Sequence, residues 1–118
     1  MVAIELNKEL FTEISKVNDA RLRLIHGNVV QISKNLSRLG LPRIDAVISS
    51  LPMALFNKIE RKELIKNTYE GLNHGGRFIV CQYSLLVLSL LKKNFKKIHY
   101  SLELRNLPPY FVIIGEKQ

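Results

Sequence analysis

Apolar positions along the chain keep two rhythms, and the rhythms alternate. Residues 2–6, Val-Ala-Ile-Glu-Leu, read as a short strand. Asn7 then offers a helix cap, and Leu10, Phe11, Ile14 and Val17 follow at helical spacing until Asn18-Asp19. Residues 21–25 alternate basic and apolar side chains and predict a second strand, closed by the turn His26-Gly27-Asn28. Asn28 with Gln31 has the form of a capping box. Val29, Ile32, Leu36 and Leu39 share the face of the helix it would start, and Gly40 with Pro42 stops that helix. Residues 44–49 form a buried strand pattern that runs into a stiff loop, Ser49-Ser50-Leu51-Pro52-Met53.

Beyond that loop, Asn57 and Glu60 form a second capping box, and Leu64, Ile65, Thr68 and Leu72 predict the buried stripe of a third helix. Asn73-His74-Gly75-Gly76 turns the chain into a strand over 77–83. Residues 84–95 are so leucine-rich that a largely buried helix is expected. Strands over 96–104 and 111–115, joined by a turn holding Pro108-Pro109, predict an antiparallel hairpin. The order is β-α-β-α-β-α-β-α-β-β. It implies an α/β fold with a mainly parallel sheet and helices on both faces. In such sheets ligands bind beyond the carboxyl ends of the strands. That edge carries Glu5, then His26-Gly27-Asn28, then residues 49–53, then Gln82-Tyr83-Ser84.

Length and composition narrow this picture. The 118 residues suit one domain, 1–118, and 47% apolar residues suit a folded core. The net charge of +8 favours an anionic partner, RNA or a membrane surface, although a basic surface also serves plain solubility. The densest basic groups are Lys58, Arg61, Lys62 and Lys66, then Lys92, Lys93, Lys96 and Lys97. Cys81 is the sole cysteine and sits in an apolar run, so it reads as a small buried hydrophobe in a reducing, cytoplasmic setting. The apolar run of residues 85–91 is too short to cross a membrane, and the first residues lack a signal pattern.

Along the ligand edge, Glu5 can accept hydrogen bonds from a ribose, or can simply favour the following helix N-terminus. Asn28 can meet the edge of an adenine, and capping alone also accounts for it. His26 suits a structural hydrogen bond, and neither His74 nor His99 is spaced with it to bind a metal. Ser49 and Ser50 offer hydroxyls, but no serine sits in a G-x-S-x-G elbow, so a nucleophilic triad is not expected.

These segments together have a familiar look. Val-Ala-Ile-Glu-Leu-Asn, His-Gly-Asn, Asp-Ala-Val-Ile-Ser-Ser-Leu-Pro-Met, Leu-Asn-His-Gly-Gly-Arg-Phe-Ile and Asn-Leu-Pro-Pro-Tyr-Phe-Val resemble a class I S-adenosylmethionine-dependent methyltransferase. More narrowly, they resemble the bacterial phospholipid N-methyltransferases, a group similar to the ribosomal RNA adenine dimethylases. The resemblance spans residues 2–114. It implies a Rossmann-like sheet in the order 3-2-1-4-5-7-6, and S-adenosylmethionine as methyl donor. It places Glu5 with Leu6 at the donor ribose, and Gly27 with Asn28 at the adenine, where the family usually has Asp. It puts Ser49, Ser50, Leu51 and Pro52 beside the methyl group and the acceptor amine, with Ser49 also touching the donor. Methyl transfer to an amine needs a lone pair held in line rather than a nucleophilic triad. Base methylases prefer Asn-Pro-Pro-Tyr-like residues here, so Ser-Ser-Leu-Pro favours a lipid amine such as phosphatidylethanolamine.

Beyond the mild departure at Asn28, the sequence departs from the family's pattern at the front. No G-x-G occurs anywhere in it, and the fold's first, central strand is not among its elements. The resemblance therefore implies the C-terminal portion of the fold, weak or inactive alone. It also implies a partner for the unpaired strands: a second copy or a complementing N-terminal segment. The expected location is the cytoplasm, peripheral at the inner membrane face. The alternatives are an RNA adenine N6-methyltransferase-like protein and a non-catalytic basic module for RNA or anionic membrane. No metal is expected.

Overall fold

Asparagines begin the first three α-helices of this chain, as the sequence suggested, whereas the fourth starts after Val87 with no side-chain cap. The computed structural model describes residues 1–41 and 43–118; Pro42, expected to help stop a helix, lies outside them. Strand β1 spans Val2–Glu5, and Asn7 caps helix α1, Lys8–Ile14, by accepting the Glu9 and Leu10 N–H groups. Strand β2 is Arg23–His26, two residues later than its apolar pattern begins. The displacement has a cause in Asp19. Its carboxylate accepts from both the backbone and the guanidinium of Arg21, which holds residue 21 in a turn. Asn28 caps α2, Val29–Ser33, through the Val30 N–H.

The predicted long second helix is broken. Asn35, at φ −144° and ψ 68°, leaves helical geometry, and a 3-10 turn over Leu36–Leu39 follows. Gly40 ends that turn with φ 67°, a conformation glycine adopts without strain. Strand β3, Ala46–Ser49, leads through a 3-10 turn at Met53–Leu55 to α3, Lys58–Gly71. The capping box of Asn57 and Glu60 is present in both directions. Strand β4 is Arg77–Gln82. Helix α4 is Leu88–Asn94, four residues shorter at its start than the leucine run predicts, and Leu86 before it is exposed. Strands β5, Lys97–Glu103, and β6, Tyr110–Glu116, form the expected antiparallel hairpin.

The strands form two sheets, and the split is informative. One sheet pairs β1 with β2, parallel; the other has the order β3-β4-β6-β5. In the second, β3 and β4 are parallel and β6 is antiparallel to both β4 and β5. These are the two flanks of the expected 3-2-1-4-5-7-6 order, and no described strand joins them. The core lies on one face of the larger sheet. There Phe78, Val80 and Ile113 pack with Leu64, Ile65 and Leu72 of the α3 region and with Val87, Leu91 and Phe95 around α4. The opposite face is barely covered at β3, where Ile48 is 73% exposed.

The smaller sheet is tied to the larger through α2. Asn67 of α3 donates to the buried Ser33 hydroxyl at 3.3 Å, and Lys34 faces Glu63 at 3.8 Å. Leu36 lies so close to Gly71 that a Cβ there would sit 2.5 Å from its Cδ1 atom.

Candidate functional site

The register of β1 with β2 assembles the first group of candidate residues. Glu5 pairs with His26, and the Gly27 N–H donates to the Glu5 carbonyl at 3.0 Å. Nε2 of His26 lies 3.0 Å from the Leu6 carbonyl oxygen, and its ring packs 5.0 Å from that of Phe11. His26 is thus a structural residue that staples the two turns together. Glu5, Leu6, Gly27 and Asn28 consequently lie on one patch. The Glu5 carboxylate accepts the Asn7 N–H at 2.8 Å through one oxygen. The Asn28 side-chain oxygen accepts the Val30 N–H at 2.9 Å. Gly27 leaves room for Ile32, whose Cδ1 would be 3.0 Å from an added Cβ.

The second group lies at the carboxyl end of β3. Ser49 is buried, and the Leu51 N–H approaches its hydroxyl at 3.4 Å. Leu51 is half-buried against the core, whereas Ser50 and Pro52 are exposed. Met53 is fully buried. One side chain holds this loop in shape. Gln82, buried at the end of β4, accepts the Met53 N–H through Oε1 at 3.1 Å. Its Nε2 donates to the Leu51 carbonyl and, at 2.8 Å, to the Cys81 carbonyl. The loop is therefore pinned on both sides of Pro52, with Ser50 and Pro52 presented outward.

Reading the sequence missed Gln82 as a functional element. The only signal was a buried-register amide at the end of a strand, on the ligand edge. The structure brings together the members of each group, but no hydrogen bond or ion pair among the described residues links one group to the other. A groove of about 350 Å³ between α3 and α4, lined by Ile59, Lys62, Ile65, Lys66, Leu90 and Lys93, contains none of the candidates.

At the same edge, the turn after β5 is closed by charge. Arg105 grips the Glu103 carboxylate through Nε and Nη2, each at 2.9 Å. These bonds from the guanidinium, with the Arg105 N–H, hold the Glu103 carboxyl down to about 2. Among the described residues no helix is long and apolar enough to cross a membrane.

Comparison with known proteins adds the fold's relatives. No family model matches the sequence. An ornithine lipid N-methyltransferase of Singulisphaera acidiphila is 26% identical over 93 residues, which cover 78% of this chain and 48% of that protein. The chain thus spans about half the length of this curated relative. Among solved structures, the N-methyltransferase NodS of Bradyrhizobium japonicum in complex with S-adenosyl-l-homocysteine superposes with a TM-score of 0.75 at 10% identity. That match covers 98% of this chain and 65% of NodS. An rRNA methylase of Streptococcus thermophilus gives 0.69 at 18% identity, over 99% of this chain and 73% of the methylase. Spermidine synthase of Thermotoga maritima gives 0.73 at 15% identity, over 99% and 44%.

Proposed function

Starting from a chain with the class I methyltransferase fold, we propose that it supplies the nucleoside-binding and acceptor-side parts of an S-adenosylmethionine-dependent N-methyltransferase acting on a lipid amine. The observation that carries this reading is the Gln82-pinned loop at the carboxyl end of β3, set in a sheet whose order matches the fold's flanks. The 26% identity to an ornithine lipid N-methyltransferase supports a lipid amine as acceptor. A phosphatidylethanolamine head group presents the same primary amine.

The described residues fit part of the donor. The free oxygen of the Glu5 carboxylate suits ribose hydroxyls, and Asn28 suits the adenine amino edge. Nothing in the sequence provides a G-x-G turn for the methionine part. When bound, S-adenosylmethionine supplies an activated methyl group. The chain's own task is positioning. Ser50, exposed on a loop bonded by Gln82 at Leu51 and Met53, offers a hydroxyl and a backbone carbonyl to an amine N–H. Such a contact aims the nitrogen lone pair, and the amine proton leaves to solvent. With half of the donor's contacts, the chain alone should methylate weakly or not at all.

Amide spectra of the labelled chain titrated with S-adenosylhomocysteine test the donor side. Shifts confined to Leu6, Gly27 and Asn28, weakened at least tenfold by Glu5→Ala, are expected. No shift at millimolar ligand, or shifts insensitive to Glu5, would overturn the assignment. For the acceptor, labelled methyl from S-adenosylmethionine should enter phosphatidylethanolamine or ornithine lipid vesicles. Label found only in adenine of an RNA would replace the lipid reading with the RNA one.

A further inference from the structure

The edge that carries the pinned loop also carries apolar side chains that the proposed chemistry does not use. Because β6 is antiparallel to both β4 and β5, the β5–β6 turn lies at the same edge as the ends of β3 and β4. That turn presents Leu107, 95% exposed, with Leu104 three residues before it and also exposed. The 3-10 turn after β3 presents Leu55, 82% exposed, and the first turn of α3 presents Ile59.

These side chains do not protrude because the chain is slack. Arg105 holds Glu103 with two bonds across the turn, and the Asn106 side chain donates to the Pro108 carbonyl at 2.7 Å. The polar groups of the turn satisfy one another, and the leucines are left outside. An apolar tip fixed in water costs free energy unless something covers it.

Charge indicates what covers it. Lys58 and Lys62 stand on α3 just behind Leu55 and Ile59, and neither makes an ion pair among the described residues. The groove between α3 and α4 is lined by Ile59, Ile65 and Leu90 together with three lysines, Lys62, Lys66 and Lys93, against one acid, Glu63. Leucines ahead of lysines match the layering of a bilayer surface, where acyl chains lie beneath anionic head groups. A duplex or single-stranded RNA would leave the leucines uncovered, since base recognition uses aromatic platforms.

We infer that the carboxyl edge of the larger sheet is a membrane-docking surface, in which Leu55, Leu104 and Leu107 enter the acyl boundary of a bilayer rich in anionic phospholipid while Lys58 and Lys62 meet its phosphates. Docking in this orientation sets the 49–53 loop against the head-group layer. It rests on the lipid-amine reading only for its purpose, since the surface itself is read from exposure and charge.

Vesicle flotation tests it with no methylation step. The chain should float with vesicles of 30% phosphatidylglycerol in phosphatidylcholine (about that fraction gives a physiological surface charge) and not with pure phosphatidylcholine. Leu107→Glu should weaken partitioning by about tenfold or more, and Leu55→Glu by a similar factor. The pair Lys58→Glu with Lys62→Glu should weaken it by about fivefold per charge removed. Leu10→Glu, on the exposed side of α1, should leave it unchanged. All these side chains are exposed, and an unchanged melting temperature verifies folding. Equal flotation of the Leu107→Glu and Leu55→Glu variants, or no flotation at all, overturns the inference. Tight binding of an RNA hairpin without flotation overturns it in favour of RNA. Flotation without methyl transfer to the vesicle amine supports docking while counting against the catalytic reading.

Discussion

Replacing Gln82 by leucine asks the most of the structure. The substitution keeps nearly the same volume in a buried position and removes every hydrogen bond the amide makes. Three groups lose this partner: the N–H of Met53, a residue fully buried, and the carbonyls of half-buried Leu51 and Cys81. A buried polar group left unpaired costs about 1–3 kcal/mol. Water can reach Leu51 more readily, so the sum comes to about 2–4 kcal/mol. For a domain of this length that lowers the melting temperature by roughly 8–16 °C. Thermal unfolding followed by circular dichroism reads the total, and hydrogen exchange at the Met53 amide reads the place. Gln82→Glu sharpens the test. It keeps the acceptor for Met53 but sets a carboxylate against the Leu51 and Cys81 carbonyls, which only a protonated acid can satisfy. The folded pKa of that glutamate is raised, so its contribution is present below the unfolded value and lost as pH rises through the folded one. The variant should therefore regain stability on acidification. If Gln82→Leu melts within about 2 °C of the parent and the Met53 amide stays protected, a water or another donor holds the loop and the reasoning fails.

Gly115→Ala should destabilise by about 1–3 kcal/mol in thermal unfolding, because a Cβ there meets the Phe95 ring at 2.7 Å, and that ring is already wedged against Tyr69 and Phe78. Glu103, held at about 2 by Arg105 rather than at the ordinary 4.5, contributes stability that is complete above about pH 4.5 and lost as pH falls toward 2. Glu103→Gln should flatten that acid limb by slightly lowering the neutral melting temperature toward the acid one, as expected for an exposed pair; an unaltered limb would show the pair to be idle.

Much of the fold could be read because its determinants are local. Asn57 and Glu60 stand three residues apart and cap α3 reciprocally, so their pairing is visible in the string itself. The α3 stripe of Leu64, Ile65, Thr68 and Leu72 is buried as its period requires. Where competing side-chain bonds intervene, periodicity alone fails. Asp19 delays β2 by capturing Arg21; the second helix ends at Ser33 and the backbone leaves helical geometry at Asn35 although the apolar face runs on through Leu36 and Leu39. Within the site, Glu5 and Asn28 could be placed because strand ends fix them to one edge. The grip of Gln82 could not, because its partners lie 29 and 31 residues away and nothing local distinguishes it from another strand amide.

The divided sheet bears on what folding means for this molecule. The β1–β2 pair is held to the rest by side chains, among them a serine–asparagine bond, a lysine–glutamate contact, Val29 on the main core and Leu36 on Gly71, and by no backbone ladder among the described strands. A ladder shared by every strand makes a sheet melt as a unit. A seam of side chains gives the small sheet fewer ties, so hydrogen exchange is expected to show it opening first, at lower cost, while the Phe78 core persists. The carboxylate proposed to hold the nucleoside lies on one side of that seam, and the Gln82-pinned loop proposed to face the acceptor lies on the other. Anything that bridges the two edges in hydrogen bonds would fuse two unfolding units into one, and would stiffen the nucleoside patch without touching it.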